Sequence, residues 1–303
     1  MHETEAGPGS RDDGAQAFAT LVRGPDDQID LASAVLALGR IEQPDLDPTP
    51  YLQTIDSLAT RVTEAVAGAT SGGTAAAETI AAQIRQVLFI TEGFHGDREE
   101  YYNPLNGHLH AVLERRQGVP ILLAILFIEI ADRAGLVVRG VGAPGHFFVK
   151  YEDNGRDRFL DPFGAGAEVP VDPLRERIEE KLAGSAMSAE ALLQGVTQRQ
   201  ILSRVLTNLK GCCARRQDLT GALGAVNYTL AMTPWALDEI RDRGFLLYAL
   251  QHYDESLQSL VQYRDHADDP GDLHRVERLI QQIEGQIASQ PEGDPPEDTA
   301  PRR

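Results

Sequence analysis

His146 and Asp161 bring an imidazole and a carboxylate to the ends of two short apolar runs in this 303-residue chain. A carboxylate beside an imidazole fixes the ring's tautomer and orients it as a general base. Covalent acyl transfer needs a third member, a nucleophile within reach of that base. Without one, the same two side chains serve as a ligand-binding pair, or as a structural pair that pins one strand to the next. Glycines at Gly142–Gly145 and Gly164–Gly166 flank the two residues, so loops there are expected to line a cleft.

The elements that must position them read plainly. Gly118-Val119-Pro120 opens an apolar run from Ile121 to Ile130. Proline suits the first turn of a helix, where its missing N–H costs nothing. The run is too short to cross a bilayer and is broken by Glu129, so it fits a buried core helix. Gly135 stands where a C-terminal glycine cap belongs. Val137–Val141, Phe147–Tyr151 and Arg158–Asp161 are strand-length, and Asp153-Asn154-Gly155 supplies a tight turn between the last two. The order is helix, strand, strand, strand. His146 enters one strand, Asp161 leaves its neighbour, and on antiparallel strands the two side chains meet.

Two other groups of reactive residues invite a reading. Asn106 is placed to cap a helix through His108, Leu109, Val112 and Leu113. On a helix His108 and His110 point to nearly opposed faces. Together with His146 and Asp161 they would make a zinc-like set, but the spacing matches no metal motif, and packing histidines are the expectation. Cys212 and Cys213 lie near Lys210, Arg215 and Arg216, the setting that activates a thiol. Small buried residues are the plainer account of both.

Composition narrows the function classes. With 46 acidic and 28 basic residues the net charge is −18, which disfavours nucleic acid and anionic membranes as partners. Two adjacent cysteines form no disulfide framework, and Met1–Gln16 lacks the basic and apolar regions of a signal peptide, so a reducing cytoplasm is expected. Residues 1–15 and 289–303 read as disordered tails. Helical stripes lead the core from Phe18 to Ile90, interrupted at Ser71-Gly72-Gly73. Residues 16–195 are taken as one domain. Five further stripes, from Ile201 to Ile287, make an all-helical domain over 196–288.

Five motif words carry a family resemblance: Phe94-His95-Gly96-Asp97, Tyr102-Asn103-Pro104-Leu105-Asn106, Arg116-Gln117-Gly118-Val119-Pro120, Pro144-Gly145-His146-Phe147 and Asp161-Pro162-Phe163. In this order they resemble the transglutaminase-like, papain-related superfamily, and most closely its SirB (invasion-regulator) branch. Trp235, Arg241, Gly244, Tyr248, Leu250, Tyr253 and Ala267-Asp268-Asp269-Pro270 resemble one tetratricopeptide unit, preceded by a degenerate one. The resemblance implies an α+β chain: leading helices, a core with a small antiparallel sheet, then an all-α tetratricopeptide-like region. It also implies a cleft lined by Tyr102, Asn106, Gly118, Pro144, Gly145, His146, Asp161 and Phe163. Active members place their cysteine two residues after the glycine, and here that position is Pro120. The expectation is a non-catalytic module with a protein or peptide partner, no cofactor and no metal. The alternative is a hydrolase or acyl-transfer enzyme that uses His146 and Asp161.

Overall fold

The computed structural model describes residues 9–70, 76–182 and 188–289. Helix α1 spans Gly9–Leu21, α2 Leu31–Ala37, α3 Thr49–Ala69 and α4 Ala77–Arg85. Asp30 caps α2 by accepting from the Ser33 amide at 3.0 Å, which gives a first-turn N–H the partner it lacks within the helix. The sequence assigned residues 1–15 to a tail, yet α1 begins at Gly9. Its Phe18 is fully buried against the Tyr228 ring, and that contact fastens the helix. The remaining tail residues, 1–8 and 290–303, and the Ser71-Gly72-Gly73 break lie outside the described residues.

Two short parallel strands, β1 (His95–Gly96) and β2 (Gln117–Gly118), bracket helix α5 (Leu109–Arg115) and deliver the chain into α6 (Pro120–Arg133). Eleven of the fourteen residues of α6 are buried, so this helix is covered on all sides rather than on one stripe. Its one buried charged residue, Glu129, has its carboxyl raised by burial. Arg133 opposes that rise by donating a hydrogen bond of 2.6 Å. The helix ends on Gly135 at φ +78°, with amides of Gly135 and Leu136 closing back on Asp132 and Ala131. A side chain at that left-handed position would be strained, and glycine is not.

The antiparallel sheet has four strands in sequential order: β3 (Val138–Ala143), β4 (His146–Asp153), β5 (Arg156–Asp161) and β6 (Ala167–Val169). In the fourth, Val169 pairs with Phe159 and extends the edge. Asn154 and Gly155, both at positive φ, form the β4–β5 turn. Alternation along the strands separates two apolar faces. Phe147, Val149, Tyr151 and Leu160 join the large core around α6. Val141, Ala143, Phe148 and Phe159 face the other way, toward Leu174 and Ile178 of α7 (Val171–Leu182) and Leu193 of α8 (Ala189–Leu193).

The described residues that follow form α9 (Gln198–Arg215), α10 (Leu219–Met232), α11 (Leu237–Ala249), α12 (Tyr253–Arg264) and α13 (Pro270–Ser289). The chain falls into two compact units, Met1–Met232 and Thr233–Arg303. Helices α9 and α10 fall in the first of these units; the sequence suggests a division between residues 195 and 196. Ile201, Leu202, Val205 and Leu206 of α9 and Ala225 and Tyr228 of α10 lie in the same core as α1, α2 and α6. Among its described residues the second unit has three helices, α11 to α13. Within it Gly244 lets Leu260 pack against the α11 backbone, and Ser256 donates to the Gly244 carbonyl at 2.8 Å. Among the described residues no helix is long and apolar enough to cross a membrane.

Candidate functional site

His146 opens β4 immediately after Gly145, whose φ of +73° turns the chain. Its Nε2 lies 2.8 Å from Asp161 Oδ1 at the end of β5. A carboxylate only accepts, so the proton of neutral His146 sits on Nε2 and the lone pair on Nδ1. Asp161 Oδ1 also accepts from the Phe163 amide at 3.1 Å. Burial works to raise the Asp161 carboxyl, but the His146 hydrogen bond and charge, with the Gly164 and Phe163 amides, hold it below the usual carboxylate range. This pair is half-buried, with His146 and Asp161 side chains 17% and 22% exposed.

Aromatic rings enclose the imidazole. Phe148, two residues along the same strand face, lies 4.5 Å away between centroids, and Phe163 meets His146 edge-on at 5.8 Å. Tyr101 stands edge-on to Phe163 at 6.1 Å and to Tyr102 at 5.2 Å. From below, Arg204 of α9 holds the turn that delivers His146, donating to the Ala143 and His146 carbonyls at 2.7 and 2.9 Å. Its guanidinium also lies over the Phe147 ring. Burial lowers the Arg204 pKa, and Tyr101 partly offsets this. Neither Arg204 nor Tyr101 was expected at the site. The arginine comes from a helix some sixty residues downstream, and no local sequence signal connects it to the turn.

The expected cleft residues separate into two groups. Tyr102, Pro144, Gly145, His146, Asp161 and Phe163 are exposed or half-buried around this face. Asn106 and Gly118 are buried and serve the scaffold. The Asn106 amide donates to Asp97 at 2.9 Å and to the Glu100 carbonyl at 2.8 Å, and its oxygen accepts from Arg115. Asn106 therefore caps no helix; α5 starts three residues later with His108 extended before it. Gly118 pairs with Gly96, and a methyl group on Gly96 would overlap the Phe163 ring. Gly96 thus lets that ring settle against the strand, while the bare Gly118 makes room for Val112. His95 uses both ring nitrogens, one on the Gly93 carbonyl and one on Gln117.

His108 and His110 are not on opposed faces. With His108 extended ahead of α5, the two rings lie 5.5 Å apart, both buried. Their Nδ1 atoms have no hydrogen-bond partner, while His108 Nε2 lies 3.5 Å from Glu42. Among the described residues no group of three or more His, Cys, Asp or Glu side chains is placed to hold a metal. Burial lowers the His110 pKa, His108 lowers it further, and Glu114 and Glu42 oppose. The Tyr51 ring closes the remaining side. The unfolded imidazole takes its proton near 6.5, and the folded one resists it. Stability from this group is therefore complete above pH 6.5 and is lost as pH falls through the lowered value. Melting temperatures at pH 7.5 and 5.5 should drop less in His110→Gln than in the parent chain. An equal drop would assign the acid sensitivity elsewhere.

Cys212 is half-buried, its thiol 3.6 Å from the Tyr102 carbonyl; Cys213 is buried. Burial raises both thiols, Cys213 to about 12 with Asp218 adding to the effect. The nearby arginines do not reverse this, because Arg215 lies over Tyr102 and Arg216 is drawn to Glu42. At pH 7.5 a thiol-reactive disulfide should label the folded chain about tenfold more slowly than free cysteine. Labelling as fast as free cysteine would contradict this environment.

Residues 49–207, just over half of the chain, match the family model described as the transglutaminase-like superfamily, and 209–281 match the tetratricopeptide repeat. A UPF0162 protein of Xylella fastidiosa is 34% identical over 247 residues, covering 78% of this chain and 84% of its own. A UPF0162 protein of Vibrio cholerae is 31% identical over 186 residues, 60% of this chain and 68% of its own. Human F-box only protein 21 is 32% identical over 131 residues, which are 41% of this chain and 20% of that protein. The tetratricopeptide match fits a protein-interaction module. The α+β architecture, the sheet and the helical C-terminal region agree with both family models. This chain belongs to the transglutaminase-like superfamily, among the UPF0162 proteins.

Proposed function

We propose that this protein is a non-catalytic, SirB-type regulatory module of the cytoplasm that holds a protein partner on the face around His146, Asp161 and Phe163. One observation carries the reading. Pro120, in the position where a nucleophile would stand, is buried in the first turn of α6 and has neither a nucleophilic atom nor an N–H. Among the described residues, no serine, threonine or cysteine side chain hydrogen-bonds to His146; its bonded partner is Asp161. The rings around the imidazole offer rigid, amphipathic contact area of the kind interfaces use.

A second reading, hydrolysis by an activated water, is favoured by the lone pair left on His146 Nδ1. It would need that nitrogen to face bound substrate. The tetratricopeptide-like helices support a scaffold role under either reading. Affinity capture from the native cytoplasm tests the proposal when run with Tyr102→Asp, a change at an exposed ring, and with Trp235→Ala in the second unit. Partners held by the parent chain and by Trp235→Ala, but lost with Tyr102→Asp, are expected. Capture unchanged by Tyr102→Asp would mean the face is not the contact.

A further inference from the structure

The chain is acidic overall, yet the cations near His146 are not neutralised. Arg98 lies 5.8 Å from the Phe163 ring centroid, and Arg215 lies 4.6 Å from that of Tyr102. Both side chains are exposed. Arg204 is committed to backbone carbonyls. On the far side of the imidazole, Arg177 lies 5.8 Å from the Phe148 centroid, and Lys181 Nζ would stand 3.3 Å from a methyl group on Gly145. Among the described residues, none of these five has a carboxylate within ion-pair distance. Elsewhere arginines are paired: Arg61 and Arg116 with Glu92, Arg133 with Asp56 and Glu129, Arg158 with Glu168. The carboxylate inside the ring, Asp161, is already taken by His146 and the Phe163 amide.

An unpaired guanidinium resting on an aromatic face is held in place without losing its charge. It keeps its N–H groups free for an incoming carboxylate, which it can grip with two parallel bonds. From this we infer that the face formed by Tyr101, Tyr102 and Phe163, with Arg98, Arg204 and Arg215, takes an acidic peptide segment of a partner protein. The inference rests on the proposed interaction role of this face and names the chemistry of its occupant. Aspartate or glutamate side chains would pair with Arg98 and Arg215 while the peptide backbone crosses the rings. Carboxylates suit this arrangement better than a polyphosphate strand, because the net charge of −18 repels long polyanions over many ångströms. At 0.15 M salt the screening length is about 8 Å, so a short acidic peptide feels the contact cations more than the distant charge.

The test uses the full chain and a fluorescein-labelled (Asp-Glu)5 peptide at 0.15 M salt, with (Asn-Gln)5 and a ten-residue oligothymidylate as comparison probes. Arg98→Ala/Arg215→Ala is compared with Arg175→Ala/Arg264→Ala, two arginines paired with carboxylates. Both double variants lower the net charge by two, so a bulk charge effect would appear equally in each. The acidic peptide should bind the parent, and its Kd should weaken about tenfold in Arg98→Ala/Arg215→Ala, with less than about twofold change in the control. Equal weakening in both variants, equal binding of (Asn-Gln)5, or absence of peptide binding would overturn the inference. Oligothymidylate binding tighter than the peptide would replace it with a nucleic-acid site. Retention of cellular partners alongside failure of the acidic peptide would leave the interaction face standing and discard only its proposed chemistry.

Discussion

Phe127→Ala should destabilise the first unit by about 3–5 kcal/mol, the range for removing a fully buried phenylalanine from a core that only partly collapses. Phe127 has no exposed surface and lies 6.4 Å from Phe89, with the rings nearly parallel. It sits in α6, eleven of whose fourteen residues are buried, so the helix has little freedom to shift and refill the space. Urea unfolding followed by circular dichroism measures the loss. A cost below about 1 kcal/mol would mean that α6 is not the helix around which the core is built.

Arg204→Ala should cost about 2–4 kcal/mol, because two carbonyls lose charge-assisted hydrogen bonds at once. The Ala143 and His146 carbonyls are its acceptors, and both belong to the turn that aims the imidazole. The loss should therefore be more than thermodynamic, and the His146 ring resonances should broaden or move in an NMR spectrum. Arg204→Lys keeps the charge but not the planar fork, so it should recover only part of the effect. Normal His146 resonances in Arg204→Ala would show that the strands alone hold the imidazole.

Much of the scaffold was legible because it is written locally. Pro120, the apolar run behind it and Gly135 mark the start, body and end of α6, and Asn154-Gly155 marks the hairpin. The juxtaposition of His146 with Asp161 followed from strand order alone. What escaped the sequence depends on contacts distant along the chain. Arg204 reaches the His146 turn from α9, and the buried stripe of α9 joins the core of the first unit, which ends at Met232. No periodicity distinguishes a stripe that packs on the core from one that packs on the next repeat.

The histidines show a second limit. His108 and His110 come together because a single residue, His108, is extended rather than helical. One change in backbone state at an element boundary reverses which face a side chain takes. The unpaired cations were illegible for another reason. Arg98, Arg204 and Arg215 are scattered along the chain and form no run; only folding sets Arg98 on Phe163, Arg215 on Tyr102 and Arg204 under the His146 turn.

The central claim is that the His146–Asp161 face binds without covalent chemistry, and an amine-incorporation assay tests it most directly. The full chain is incubated with a glutamine-bearing protein acceptor and a fluorescent primary amine, beside His146→Ala and Cys212→Ser/Cys213→Ser. Pro120 offers no thiolate, and both cysteine thiols are raised by burial, so incorporation above the no-protein control is expected in none of the three. Incorporation by the parent chain that disappears in His146→Ala would contradict the account. Its persistence in Cys212→Ser/Cys213→Ser would then point to a nucleophile other than either cysteine, and its loss there would place the thiol in α9.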